Sequence, residues 1–206
     1  MPPRHARAIA HLTDVDPVLG DWIRRSGPCT LSRSRTGTHF SHVSRSIVYQ
    51  QLSGKAAATI HGRYLALFGG REPSPDEVLA TKHRALRGVG LSDRKAEYLR
   101  GLASDVREGR VPLADIERLD DAEAIEVLTK VRGVGEWTAQ MFLMFRLGRP
   151  DVLPTLDLGV QTAVKRLYGL RKHPTPERLA KIGARWAPYR TVASWYLWKV
   201  VDTQEW

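Results

Sequence analysis

The sequence predicts an all-helical protein. Apolar residues recur at helical spacing through most of its length, as Ile125, Leu128 and Val131 do, and no segment gives a strong strand pattern. A capping side chain followed by proline marks three helix starts, at Asp16-Pro17, Ser74-Pro75 and Thr175-Pro176. The 206 residues are enough for one domain or for two small lobes that share a core.

These signals place the helices in the first half of the chain. The helix that starts at Pro17 is expected to end at Ser26-Gly27-Pro28, and the stretch around Arg33 and Arg35 is expected to form a loop or short strands. Helical periodicity resumes at Phe40. Four helices are expected from there, over about residues 40–52, 55–68, 75–86 and 93–108.

The second half continues in the same way. A short helix is expected from Pro112 through Leu119, and Asp120 or Asp121 is expected to cap the next one. Further helices are expected to end at Gly148 and to begin near Asp157, Pro176 and Pro188.

The composition indicates a polyanionic partner. The formal net charge is +10 and the isoelectric point is about 10.1, which suits nucleic acid or an anionic membrane surface. No run of 18 apolar residues is present, and the basic N-terminus lacks the apolar core of a signal peptide, so we expect a cytoplasmic protein. Cys29 stands alone, which excludes an internal disulfide, a cysteine-ligated iron–sulfur cluster and a zinc finger. It is expected to be a small packing residue.

The segment LTKVRGVGEWTAQ, from Leu128 to Gln140, predicts a helix-hairpin-helix over about residues 121–147. Gly133 and Gly135 permit positive φ in the turn, and the amides that open the second helix suit a phosphate. A plain αα-hairpin with a glycine turn is the alternative. RGVG also occurs at 87–90, but an ordinary Ser92 cap follows it, so we interpret that copy as structural.

Two further segments suggest a site, each with a simpler alternative. Gln50-Gln51-Leu52 places two amides and a leucine at a helix break, which suits contact with a base edge but also describes a solvated helix end. Asp157 lies where an irregular segment becomes a helix. It is either a routine N-cap or a functional carboxylate whose charge the helix dipole favours by about 0.3–1 kcal/mol. The aromatic residues of the last helix, Trp195, Tyr196 and Trp198, are typical of a core but could form a stacking wall for a base.

Taken together, these segments resemble DNA glycosylases of the HhH-GPD superfamily, in the DNA-3-methyladenine glycosylase II (AlkA-type) branch. The matching stretches are LTKVRGVGEWTAQMFLM, DVLPTLDLGVQ, IVYQQLSGKAAATI, ALRGVGLSDRKAEYL and RWAPYRTVASWYLW, within about residues 43–198. The resemblance implies an all-α fold of two lobes with a DNA cleft between them. Lobe A would comprise about residues 1–42 and 150–206, and lobe B about residues 43–149. The chain is too short for the N-terminal β domain of the larger relatives.

The resemblance also implies roles for individual residues. Asp157 would be the catalytic carboxylate, and Trp137, Trp198, Met141 and Gln51 would form the base pocket, with Met141 where an aromatic residue is frequent. Leu52 would be the wedge that fills the gap left by the base, although a buried core leucine is the alternative. The remaining DNA contacts would be Arg132, Gly133, Val134, Gly135 and Thr138.

The resemblance bears on cofactors as well. The carbonyls of Thr129, Val131 and Val134 match those that hold a monovalent cation, Na⁺ or K⁺, beside a DNA phosphate. No cofactor for catalysis is expected, and the single cysteine cannot build the iron–sulfur cluster of some relatives.

The implied activity is hydrolysis of the N-glycosidic bond of alkylated bases such as 3-methyladenine and 7-methylguanine. Bifunctional relatives carry a lysine two residues after the second hairpin glycine, where this chain has Trp137, so we expect no strand cleavage. The expected partner is damaged double-stranded DNA, the expected state is a monomer, and the protein would associate with the nucleoid through DNA. The alternatives are a glycosylase for uracil, deaminated or etheno bases, a non-catalytic DNA-binding module and, more remotely, a membrane-surface protein.

Overall fold

The computed structural model describes residues 5–202 and is all-helical there, which confirms the expected fold class. Contacts divide the chain into two units: unit 1 is Met1–Arg33 with Leu143–Trp206, and unit 2 is Ser34–Phe142. The boundaries differ from the expected ones near residues 42 and 149. The Thr38-capped helix that starts at His39 buries Phe40 and Val43 in unit 2, while Phe145 packs on the core of unit 1.

Unit 1 contains five α-helices and two short helical segments among its described residues. The helices are α1 (Ala6–Val15), α2 (Pro17–Ser26), α10 (Leu158–Leu167), α11 (Pro176–Gly183) and α12 (Arg190–Asp202), with a π-helical turn at Leu143–Leu147 and a 3₁₀ turn at Ala184–Trp186. Helix α12 packs on α10 and α2, and α1 packs on α2. Trp186 and Tyr196 are the largest fully buried side chains of its core.

A buried carboxylate holds one end of this core. Asp16 caps α2 through the Leu19 amide at 3.1 Å, and it also accepts hydrogen bonds from the Tyr168 hydroxyl at 2.7 Å and the Trp186 indole at 2.8 Å. The predicted cap is therefore correct. Its further partners lie more than 150 positions away, so they were not visible in the sequence.

Unit 2 contains seven α-helices and a 3₁₀ turn. The helices are α3 (His39–Tyr49), α4 (Gly54–Ala66), α5 (Pro75–Ala80), α6 (His83–Gly88), α7 (Asp93–Arg107), α8 (Asp121–Thr129) and α9 (Glu136–Phe142), with the 3₁₀ turn at Ile116–Arg118. Helix α7 is central, because it packs on α3, α5 and α6. Its stripe of Ala96, Leu99 and Leu102 is fully buried.

Two helix expectations are wrong in detail. The helix from Pro75 does not reach Leu86, since the chain is extended at Thr81 and a new helix begins at His83. The Arg100 guanidinium stabilises this break by donating to the carbonyls of Leu79 and Thr81, at 3.0 and 2.7 Å. The segment from Pro112 to Leu119 forms only the 3₁₀ turn. The second hairpin helix ends at Gly148 as expected, with its residues α-helical to Phe142 and π-helical from Leu143 to Leu147. No helix of the described residues is long and apolar enough to cross a membrane.

Candidate functional site

The predicted hairpin is present in unit 2. Helix α8 ends at Thr129, the chain turns with a 3.0 Å hydrogen bond from the Val134 amide to the Val131 carbonyl, and α9 starts at Glu136. Val131 and Val134 are buried, whereas Arg132 and both turn glycines are exposed. The two buried valines therefore anchor the turn in unit 2, while the arginine side chain and the glycine backbone are accessible to solvent.

The two turn glycines are not equivalent. Gly133 has φ of +89°, and there is no room for a side chain at this position, because a Cβ there would lie 2.3 Å from Cδ2 of Tyr98. Gly135 has no positive φ, and a Cβ there would meet nothing within 4 Å. The expectation that both glycines serve the backbone conformation of the turn is thus correct only for Gly133.

The Gln50-Gln51-Leu52 segment is held against this turn by two side chains. Gln50 Nε2 donates to the Gly133 carbonyl at 2.7 Å, and Lys95 Nζ donates to the carbonyls of Val48 and Gln50 at 2.8 and 2.6 Å. Burial lowers the pKa of the Lys95 amine. These bonds replace helical ones at the end of α3 and fix the direction in which the chain leaves it.

Gln51 and Leu52 follow in an exposed and strained position. Gln51 has φ of +55°, and it is the one non-glycine residue with positive φ among residues 5–202. Such a conformation costs about 1–3 kcal/mol and persists only where the surroundings enforce it, which is frequent at functional sites. Leu52 is 37% exposed, so the alternative of a buried core leucine is wrong.

A pocket of about 480 Å³ opens beside the hairpin within unit 2. Of the residues expected in a base pocket, Trp137, Met141 and Gln51 line it, and the Trp137 side chain is 46% exposed. Thr138, expected as a DNA contact, is 9% exposed and lines the pocket instead. Gln50, which the sequence marked with Gln51 as an amide suited to a base edge, lines the pocket too, as do three residues that the sequence did not single out: Arg45, Ser46 and Tyr49.

Asp157 lies in unit 1 and is the N-cap of α10, as expected. Its Oδ1 accepts the Val160 amide at 2.8 Å and the Trp198 indole N–H at 3.0 Å. Trp198 in turn stacks on Phe145, with ring centroids 5.9 Å apart. The carboxylate is therefore fixed by a helix start and by an aromatic side chain that is itself packed, which is more than a routine cap requires.

The segment that leads to Asp157 is anchored at its start. Asp151 accepts two hydrogen bonds from the Arg190 guanidinium, at 2.7 and 2.8 Å, and this pairing lowers the pKa of the Asp151 carboxyl. Around Asp157 itself, Leu156 and Leu158 are 56% and 65% exposed. An exposed apolar pair flanking a half-buried carboxylate gives this edge of unit 1 the character of a binding surface.

Gly159 limits the space around the carboxylate. A Cβ there would lie 3.0 Å from Asp157 Oδ1 and 3.1 Å from Trp198 Cδ1, so both side chains would have to shift. We expect Gly159→Ala to slow the hydrolysis expected at Asp157 about tenfold while lowering the free energy of unfolding by only about 1 kcal/mol. Single-turnover rates and thermal melts of the variant would check this. Gly62→Ala, at an open position on α4, is the matched control, and an unchanged rate for Gly159→Ala would contradict the prediction.

Fold and site together define a helix-hairpin-helix protein with a separately anchored aspartate. Residues 44–188 match the family model of the HhH-GPD superfamily base excision DNA repair proteins, and the chain belongs to this family. It is 34% identical over 196 residues to DNA-3-methyladenine glycosylase 1 of Schizosaccharomyces pombe, covering 94% of this chain and 86% of that protein.

Two solved structures are similar over most of both chains. The DNA-3-methyladenine glycosidase of Bacillus halodurans has a TM-score of 0.86 at 39% identity, covering 95% of this chain and 89% of that one. The S. pombe 3-methyladenine DNA glycosylase Mag1 in complex with abasic DNA has a TM-score of 0.84 at 32% identity, covering 97% and 98%.

Several residues around the hairpin and around Asp157 were not identified from the sequence. Tyr98, which limits the space at Gly133, and Lys95, which donates to the carbonyls of Val48 and Gln50, lie on α7, far along the chain from these partners, and no local pattern marks them. Gly159 follows the helix cap by two residues and has no positive φ, so nothing distinguishes it from an ordinary helical glycine. Arg45 and Tyr49 are four residues apart, and this helical spacing was a usable signal for the contact of the guanidinium with the ring.

Proposed function

We propose that the protein is a monofunctional DNA glycosylase that removes alkylated bases such as 3-methyladenine and 7-methylguanine from double-stranded DNA. The observation that carries the proposal is the placement of Asp157, whose carboxylate is held by the Val160 amide and the Trp198 indole in a chain of the HhH-GPD family. The relatives named as 3-methyladenine glycosylases support the substrate class.

The chemistry assigned to Asp157 is electrostatic. Breaking the bond between sugar C1′ and the base nitrogen leaves positive charge on the sugar, and a fixed carboxylate stabilises that charge and orients the water that attacks C1′. An alkylated purine is cationic and leaves readily, so modest stabilisation suffices. A non-catalytic DNA-binding module would gain nothing from an acidic group, since DNA phosphates repel it.

Access to the sugar requires that the nucleotide leave the stack, at a cost of a few kcal/mol. The exposed Leu52 is assigned to fill the space that the base vacates, and the strained Gln51 beside it supports this role. The exposed indole of Trp137 and the indole of Trp198 are assigned to contact the base, because electron-rich rings attract a cation by about 0.5–2 kcal/mol. Met141 offers less stacking than an aromatic residue would.

DNA backbone binding is assigned to the hairpin. The exposed Arg132 and the backbone of Gly133 and Gly135 suit a phosphate, as does the start of α9. The implied monovalent cation fits this turn, because the carbonyls of Thr129, Val131 and Val134 are hard oxygen ligands, and Val131 keeps a lone pair beside its bond to the Val134 amide. Bound there, the cation would supply positive charge to a phosphate.

The absence of strand cleavage is a separate expectation. Trp137 occupies the place where bifunctional relatives have a lysine, and an indole cannot form a Schiff base with the sugar. Incubation with substrate DNA and borohydride is expected to trap no covalent adduct, and alkali should be needed to cut the strand after base release. A trapped protein–DNA band would overturn this assignment.

The decisive experiment is base release from methylated duplex DNA, with the products identified by chromatography. Release of 3-methyladenine or 7-methylguanine is expected. Tight DNA binding without either product would redirect the assignment to uracil and etheno bases, and no release from those would leave the DNA-binding module. The monomeric state and the cytoplasmic location stay predictions.

A further inference from the structure

Lys95 is a cation that reaches from α7 to the end of α3. Its Nζ donates to the carbonyls of Val48 and Gln50, at 2.8 and 2.6 Å. The last four carbonyls of a helix have no partner within the helix, and the helix dipole favours a cation beside them. Lys95 therefore closes α3 with its side chain, at the place where the following residues leave the helix.

The residues just beyond this point have an unfavourable backbone conformation. Gln51 has φ of +55°, which residues with a side chain rarely adopt, and the next residue is the exposed Leu52. The carbonyl of Gln50 belongs to the peptide plane that precedes the Cα of Gln51. An ammonium bonded to this oxygen thus fixes the plane about which φ of Gln51 is set, and the strained conformation persists because its surroundings enforce it.

The same face of α7 supports the hairpin turn. Tyr98 lies one helical turn after Lys95, and its ring occupies the space beside Gly133, where a Cβ would lie 2.3 Å from Cδ2. Gln50 Nε2 joins the two segments by donating to the Gly133 carbonyl at 2.7 Å. The connection that carries Leu52 and the turn that suits a phosphate are therefore held by one helix of unit 2.

We propose that Lys95 is a positioning residue for nucleotide flipping, which holds the end of α3 so that Leu52 is presented in the conformation that fills the space of the displaced base. The inference rests on the proposed function, in which Leu52 has that task. Preorganisation is the physical reason. A segment that is already ordered does not have to be ordered when DNA binds, so more of the binding free energy opposes the cost of unstacking the nucleotide.

The test measures unstacking separately from the chemistry that follows it. Stopped-flow fluorescence of a 2-aminopurine beside 7-methylguanine reports the loss of stacking, and single-turnover release of 7-methylguanine reports the whole reaction. Lys95→Met keeps the length of the side chain but loses its donors, and we expect it to slow both processes about tenfold. Lys95→Gln loses the charge and the reach of the ammonium and should show the same pattern, which keeps the proposal testable if Lys95→Met does not fold.

Two comparisons distinguish positioning from a general loss of stability. The defect should shrink to less than about threefold when 7-methylguanine lies opposite thymine, since a mismatched nucleotide costs less to flip. In a Leu52→Ala background, Lys95→Met should slow release by less than about twofold more, because a residue that acts through Leu52 has little effect once that side chain is gone.

Arg100→Met is the matched control. Arg100 lies on the same helix as Lys95 and also donates to carbonyls at a helix end, those of Leu79 and Thr81 at 3.0 and 2.7 Å, but this end is outside the connection that carries Leu52. Its replacement should lower the melting temperature, as that of Lys95 does, and leave the rates of unstacking and release unchanged.

The outcomes separate the two proposals. Wild-type unstacking rates in both Lys95 variants, or a defect that is equally large without the Leu52 side chain, would overturn the positioning role and leave the proposed function intact. Release of neither 7-methylguanine nor 3-methyladenine by the wild-type protein would overturn the proposed function and the positioning role with it.

Discussion

Replacing Asp157 with asparagine is expected to slow base release by on the order of 10³-fold, with folding and affinity for abasic DNA close to wild type. Asparagine has the same shape, and it is as good an N-cap as aspartate, so its oxygen can still accept the Val160 amide and the Trp198 indole. Only the negative charge is lost. Because this charge acts on the cation that develops at C1′, its loss should lower the rate of the chemical step and leave the free energy of unfolding unchanged.

The measurement is the single-turnover rate of base release from methylated DNA, beside a thermal melt and a binding curve on abasic DNA. Asp120→Asn is the matched control, because Asp120 is also an N-cap aspartate, on α8, and accepts the Glu123 amide at 2.9 Å. It should leave the rate unchanged. If Asp157→Asn retained more than about a tenth of the wild-type rate, the carboxylate would be only a cap.

The parts of this structure that were predictable from the sequence are local. Asp16, Ser74, Ser92, Asp157 and Thr175 all cap the helices assigned to them, since a cap is decided by a side chain and an amide three residues apart. The hairpin was predictable for the same reason, because its glycines and its apolar periodicity lie in one short segment.

The parts that were not predictable depend on distant residues. The break between α5 and α6 is stabilised by Arg100, about 20 residues away, and Gly133 is constrained by Tyr98 from another helix. Helical periodicity continues across the break between α5 and α6, and nothing in the RGVG segment marks a neighbour on another helix, so the local pattern shows neither feature. The exposure of Leu52 was likewise open, because a leucine beside a helix end is compatible with a core or with solvent until the path of the chain is known.

Gly133→Ala is expected to have the second largest effect, because it combines backbone strain with a steric clash. An alanine at φ of +89° is unfavourable, and its Cβ would lie 2.3 Å from the Tyr98 ring, so the turn or the ring must move. We expect a loss of about 3 kcal/mol in the free energy of unfolding. DNA affinity should fall by about tenfold or more, since the Gly133 carbonyl that holds Gln50 would be displaced.

Gly135→Ala separates DNA contact from folding. Its Cβ would meet nothing within 4 Å in the protein, so the free energy of unfolding should change by no more than about 0.5 kcal/mol. If the turn approaches a phosphate closely, the added methyl group should still weaken binding to all DNA sequences alike. Gly88→Ala, at the first glycine of the other RGVG copy and also in open space, should change neither quantity. DNA affinity and denaturant unfolding measured for all three variants would test this. Wild-type affinity in Gly135→Ala would mean that the hairpin supports the fold without touching the DNA backbone at that glycine.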